Sequence, residues 1–375
     1  MNYDSLTHEQ IQTALSYCDY EDMETWVKMG MAIKSELGEQ GKQMWLDWSS
    51  NGSTYKLKSA LSSWKHFPTH GKVRIGTLIY EAKKYGFKLE PNAPKVSKAI
   101  RMERKAQREL LEQQSIIEEQ NKLQLERKQA LKAREIFRKA KEVDEHPYTT
   151  RKDILPHNCR VGSWSYKDDD DKIVHLDNVL LVPLFFRGSL VSVQGIAPQK
   201  VTKGGKLTDK FYLYGARKQG VYAYIGDDLT DIIYITEGFA TGATIFEATQ
   251  LSVFVSLDSG NLLHVASEVR KMYPLHKIVI CADNDQYKKS NTGIKAAEKA
   301  ACQVDADIVY PIFKDVSSKP TDFNDLYHLE GYSAVIEQTQ VERIYTAKAN
   351  NAPAYDAFKL QFIEKAEEKL ETSAD

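Results

Sequence analysis

Apolar positions recur at helical spacing near the start of the chain. In "METWVKMGMAIKSEL", Trp26, Met29, Ile33 and Leu37 fall on one stripe, which predicts an amphipathic helix. Tryptophans 45, 48 and 64 stand among further helix formers, so residues 1–90 read as a small helical domain. Its tryptophans serve either as core residues or as platforms for unpaired bases. "NAP" at 92–94 punctuates the chain, and from Lys95 to Lys141 neither Gly nor Pro occurs. This stretch holds no strict heptad, so it predicts one or two long helices rather than a long coiled coil. After "HPY" at 146–148 the pattern changes to β, and "NVLLVPLFFRGSLVSVQGI" predicts two strands about a turn at Arg187–Gly188. "KFYLYGARKQGVYAYIG" adds more strand.

A regular alternation follows. Strands "DIIYIT", "SVFVSL", "KIVICA" and "ADIVYP" are separated by helices "ATGATIFEAT", "LLHVASEVRKMY" and "IKAAEKAACQV". Short apolar strands alternating with helices predict βαβ units and a parallel sheet. "YDAFKLQFIEKAEEKLE" predicts a charged C-terminal helix. The expected organisation is multidomain, α plus α/β: a helical module (1–90), a charged helical linker (91–143), a mixed β subdomain (144–230), a parallel-sheet α/β domain (231–340) and a helical tail (341–375).

Charge changes this picture only locally. The 375 residues carry 51 Lys and Arg against 52 Asp and Glu, so net charge names no partner. Residues 95–141, however, hold fourteen basic and seven acidic side chains. That segment is either a solvated spacer or a surface that tracks a nucleic-acid strand or binds a partner. Cysteines 18, 159, 281 and 302 form no CxxC pair, which argues for reduced thiols and against structural zinc. The polar start and the lack of a membrane-length apolar run predict a soluble cytoplasmic protein with no membrane partner. "YKDDDDK" at 166–172 coincides with an epitope-tag sequence; it reads as an acidic turn and is assigned no chemistry.

Candidate chemistry collects where parallel strands end. The first strand ends in "TEG" with Glu237, the second in "LDSGN" with Asp258 and Asn261, and the third in "DND" with Asp283, Asn284 and Asp285. "TDFNDL", with Asp322 and Asp325, follows the fourth. Acids at such positions serve as caps and turn formers, or they converge. In an extended segment Asp283 and Asp285 point to the same side and can share a cation. Magnesium suits such a set, because it prefers oxygen ligands and takes one or two carboxylates together with substrate phosphates.

The ordered set resembles the Toprim domain of DnaG-like primases, topoisomerases and some nucleases. It is most similar to primases of conjugative plasmids and phages, through "ITEGFATGATIFEAT", "DSGNL", "ADND" and "TDFNDL", and upstream through "HPYTTRK", "LLVPLFF", "SVQGI" and "KFYLYGARKQG". The first ninety residues resemble a PriCT-type module in "WVKMGMAIKSEL", "WLDWSS" and "SSWKHF". The resemblance implies a DNA primase that makes short RNA primers on single-stranded DNA from ribonucleoside triphosphates. It implies acid/base chemistry for Glu237, and Mg2+ or Mn2+ on Asp283 and Asp285, with Asp322 and Asp325 as further metal-ligand candidates in a second acidic motif. Lys210, Arg217, Lys218, Lys288 and Lys289, with Asn261 and Asn284, are the nucleotide- and DNA-binding candidates. No GxxxxGK[ST] motif is present, so a helicase would be a separate partner. The alternatives are a Toprim nuclease and a non-catalytic single-strand-binding or helicase-docking factor.

Overall fold

The computed structural model describes residues 6–68, 71–89, 96–168, 170–288 and 290–340. The C-terminal helix expected within 341–375 lies outside the described residues, as do Lys289 and the "NAP" break. The chain divides into two compact units, 1–127 and 128–375.

In the first unit, Thr7 opens α1 (His8–Ser16) with a reciprocal cap, its hydroxyl accepting from the Gln10 amide and its amide donating to the Gln10 side chain. Asp22 caps α2 (Met23–Leu37), which carries the expected stripe: Met29, Ile33 and Leu37 are buried and Trp26 partly so. Next come α3 (Lys42–Ser49), α4 (Leu57–His66) and α5 (Ile75–Lys84). Trp45 and Trp64 are fully buried with ring centroids 5.6 Å apart, and Trp26 lies 4.5 Å from Trp45. The Trp26 and Trp64 ring N–H groups donate to Ser49 and Glu39. Trp45 and Trp64 are therefore core residues, closed to any base.

Helix α6 (Lys98–Lys139) is one continuous element, and the boundary between the units falls inside it. Its first turns belong to the helical module instead of forming a solvated spacer. Arg104, 8% exposed, donates to the Leu6 carbonyl and pairs with Glu36, which also meets Arg108 at 3.0 Å. Removing the carboxylate strands a buried guanidinium. Glu36→Ala is expected to cost about 3–5 kcal/mol, measured by urea denaturation followed through tryptophan fluorescence.

In the second unit the last turns of α6 place Ala133, Ile136 and Phe137 on an antiparallel sheet. Its strands β1 (Lys141–Glu142), β2 (Arg160–Lys167), β3 (Ile173–Phe186), β4 (Ser189–Lys203) and β5 (Lys206–Tyr212) lie side by side in chain order. Every pairing in this sheet is antiparallel, with hairpins connecting its long strands. The acidic stretch supplies the turn from β2 to β3, with Asp168 accepting from the amides of Asp170 and Lys172. Between β1 and β2, His146 caps the short helix α7 (Pro147–Lys152); its Nδ1 accepts from the Tyr148 amide and its Nε2 lies 2.8 Å from the Asn178 carbonyl.

The second sheet has the order β10-β9-β7-β8-β6, made of β6 (Ala223–Ile225), β7 (Ile232–Thr236), β8 (Val253–Val255), β9 (Lys277–Cys281) and β10 (Asp307–Val309). Four strands are parallel, whereas β6 pairs antiparallel with β8, so the sheet reaches back beyond residue 231 for its edge. Successive strand residues alternate between two apolar layers. Tyr234, Val253, Val255 and Val279 face α8 (Phe239–Thr249) and α11 (Phe323–Thr339, interrupted at Gly331). Ile233, Ile235, Ile278 and Ile280 face α9 (Ser259–Met272) and α10 (Thr292–Val304). Helix α11 was not expected from periodicity. Among the described residues, no helix is long and apolar enough to cross a membrane.

Candidate active site

The chain passes from β7 to β8 on one side and then to β9 on the other, so the crevice beyond the carboxyl end of β7 is a switch point of the sheet. Thr236 pairs with Cys281, which puts Glu237 and the "DND" segment beside each other. Gly238 caps α8, keeping Glu237 in the turn. Burial, and then the charges of Asp285 and Asp258, hold the Glu237 carboxyl above its ordinary range, although the Ser259 amide donates to it.

Asp283 is the centre of the cluster. Its Oδ1 is buried without a hydrogen-bond partner. Burial, followed by the charges of Asp322, Glu237 and Asp285, pushes its pKa up to about 8, and Lys210 offsets this only in part. Asp285 behaves differently. Burial would raise it, but Lys288 at 2.8 Å, the Thr292 hydroxyl at 2.7 Å and the Gly293 amide together hold it below its usual value.

Asp322 and Asp325 form a reciprocal cap on α11. The Asp325 amide donates to Asp322 Oδ1, and Asp325 Oδ2 accepts from the Thr321 amide, each at 2.8 Å. Burial and then the Asp325 charge raise Asp322. Asp322 thus bears on Asp283, while Asp325 is engaged in holding the helix start.

The cations separate by position. Lys210 on β5 is half-buried and its charge acts on both Glu237 and Asp283. Arg217 stacks on the Phe186 ring at 3.6 Å and donates to the Gln219 carbonyl, and Lys218 is exposed on the same loop. Lys288 is paired with Asp285. Sequence reasoning missed Lys152, whose charge lowers Asp322 and whose carbonyl accepts from Asn324. The signal was present in "HPYTTRK", where a capped helix ends in two cations.

Asn261 and Asn284 are occupied within the fold. The Asn261 amide donates to the Val221 and Ser256 carbonyls and its Oδ1 accepts from the Gly220 amide, fixing the loop before β6 onto α9. Asn284 donates to the Pro311 carbonyl and accepts from Asn291. Gly293 was also missed. A Cβ there would stand 2.2 Å from the Asp283 carbonyl oxygen, so only glycine lets α10 start against the "DND" segment.

A divalent cation fits this donor set. A buried carboxylate oxygen without a partner, beside carboxylates that raise its pKa, needs either a proton or a cation to be satisfied. Among the described residues the acids nevertheless form no closed cluster of three ready ligands, because Asp285, Asp322 and Asp325 have partners of their own.

Residues 11–82 match the Primase C terminal 2 (PriCT-2) family, and residues 232–333 match the Toprim domain family. Two DNA primases TraC of Escherichia coli are 32% and 31% identical over 112 residues. Each alignment covers 28% of this chain but only 11% and 8% of the relatives, so the chain spans about a tenth of the curated relatives it matches. The RNA polymerase domain of Mycobacterium tuberculosis primase DnaG aligns at 15% identity and TM-score 0.38, covering 57% of this chain and 82% of that one. The zinc-binding and RNA polymerase domains of Aquifex aeolicus primase align at 13% and 0.38, covering 71% and 68%. At such distances the fold assignment rests on the strand order and on the family matches. The chain is therefore similar to the PriCT-2 family over 11–82, to the Toprim domain family over 232–333, and to the TraC DNA primases over 112 residues.

Proposed function

We propose that the protein is a DNA primase of a phage, plasmid or other mobile element, joining ribonucleotides into short primers on single-stranded DNA. The observation that carries this reading is Asp283: a buried carboxylate, short of one partner, at the switch point of a Toprim sheet. Asp283 and Asp285 would hold Mg2+ or Mn2+, with Lys288 leaving Asp285 for a substrate phosphate. The chemistry such a cation would supply there is a lowered pKa for the primer 3′-hydroxyl and neutralisation of the triphosphate. Glu237, with its raised pKa, accepts the hydroxyl proton. The 3′-oxygen bonds to the α-phosphorus, the α–β phosphoanhydride bond breaks, and pyrophosphate leaves. Lys210 faces the cluster to hold phosphate, and Lys152 steadies Asp322. The partners are the template strand, ribonucleoside triphosphates and a replicative helicase.

The test is incorporation of labelled ribonucleotides on single-stranded DNA with magnesium, with template integrity followed on the same gel. Short products that vanish with EDTA support the reading. A shortened template would make the protein a nuclease, and an intact template without products would make it a binding factor. Gly293→Ala serves as a positional probe. Displacing the "DND" segment by about 1 Å is expected to lower primer synthesis on the order of 10²-fold, with nucleotide incorporation as the measure.

A further inference from the structure

Between β5 and β6 the chain presents an aromatic ring that the fold does not use. Along "KFYLY" the residues alternate: Phe211 and Leu213 are buried at 2% and 8% exposure, whereas Tyr212 and Tyr214 are exposed at 38% and 90%. Lys210 and Tyr212 share a face of β5, and both reach the acidic rim, since Lys210 acts on Glu237 and Asp283 and Tyr212 feels Asp258. Tyr214 follows two residues after Tyr212, in the turn that leaves the strand, and is 90% exposed.

It is also held in place. The Ala216 amide donates to the Leu213 carbonyl at 3.2 Å, closing a turn with Tyr214 at its first corner and Gly215 at φ +74° at the second. Asn261 clamps the far end of the loop, and Arg217 packs on Phe186. A tyrosine on a fixed turn loses little conformational freedom when it binds, and its open face suits a flat apolar partner.

Building on the reading above, we propose that Tyr214 is a positioning residue that stacks on an unpaired nucleobase at the mouth of the acidic site. The base belongs either to the template strand or to the incoming nucleotide. Lys210 on one side and Lys218 on the other are placed for the flanking phosphates.

The experiment compares wild type, Tyr214→Ala and Tyr214→Phe. It measures the Kd for a labelled single-stranded DNA oligonucleotide, the Kd for its abasic counterpart, and the KM for ribonucleotides in primer synthesis. Tyr214→Ala is expected to weaken one base-dependent quantity about 5- to 150-fold, while Tyr214→Phe stays within about twofold. A change in oligonucleotide Kd, with loss of discrimination against the abasic strand, places the template base on Tyr214. A change in KM alone places the incoming base there. Stacking is overturned if Tyr214→Ala moves neither quantity, if Tyr214→Phe is as impaired as Tyr214→Ala, or if the wild type does not distinguish the abasic strand and Tyr214→Ala leaves the KM unchanged. Should the wild type make no primers, the primase reading and the incoming-base assignment fall together, while the oligonucleotide comparison still decides stacking on a strand base. Should Tyr214→Ala behave as wild type while the wild type makes primers, only the stacking falls.

Discussion

Asp283→Ala is expected to lower primer synthesis by at least about 10²–10³-fold while the protein remains folded. The alanine removes the one carboxylate oxygen of the cluster that is buried without an internal partner, so no hydrogen bond of the fold is lost with that atom. It also removes an acid whose ionisation its neighbours oppose. Glu237→Gln keeps the shape of the side chain but not its basicity, and a loss of about 10²–10⁴-fold is expected where it accepts the proton. Asp325→Ala separates catalysis from architecture. Its carboxylate caps α11, so the expected result is a stability loss of about 1 kcal/mol with most of the activity kept. Ribonucleotide incorporation beside thermal melting decides all three. Full activity of Asp283→Ala, or complete inactivity of a well-folded Asp325→Ala, would remove the assignment of roles.

The contrast between Asp283 and Asp325 also marks where the sequence was legible. Alternation of apolar runs located β7 to β10 and the three helices between them, because strands buried on both faces must be continuously apolar. The rule that sites gather at strand ends then brought Glu237 next to Asp283 and Asp285, and the register confirms the adjacency of those segments. Sequence could not show which acids have spare valences. Asp322 and Asp325 sit at the first two acidic positions of a helix start, and the same spacing that suggests a ligand pair also makes a cap. Reading them as ligands hid α11. Asn261 and Asn284 looked like ligand-facing polar residues, but their partners are backbone groups and side chains distant in sequence, as with the 40-residue separation between Asn261 and Val221. The docking of α6 onto the helical module depends on Arg104 meeting Glu36, 68 residues away. The edge strand β6 is only three residues long, too short for a period to declare its direction.

In metal-free buffer, Asp283→Asn is expected to be more stable than wild type at pH 8 and equal to it near pH 4. The folded protein holds the Asp283 proton to about pH 8, whereas the unfolded chain releases it near 3.8. Between those values the native state binds more protons than the unfolded state, so wild-type stability falls as pH rises. The decline is complete above pH 8 and absent below pH 4, with a ceiling of about 6 kcal/mol at 1.36 kcal/mol per unit. Asparagine has no proton to lose, so its pH curve lacks this slope. Magnesium should then act in the opposite sense. A cation bound to the Asp283 carboxylate stabilises only the native wild type, by about 2.7 kcal/mol at a hundred times its Kd, and leaves the asparagine variant unmoved. Urea denaturation at several pH values, with EDTA or magnesium, measures both effects without any turnover. Parallel pH curves for the two proteins would show that Asp283 is not held protonated by its neighbours. An equal magnesium response would show that the cation binds elsewhere. The coupling of the two results follows from one cause: a carboxylate crowded by Asp322, Glu237 and Asp285 is costly to the fold when ionised and empty, and that cost is what a divalent cation relieves.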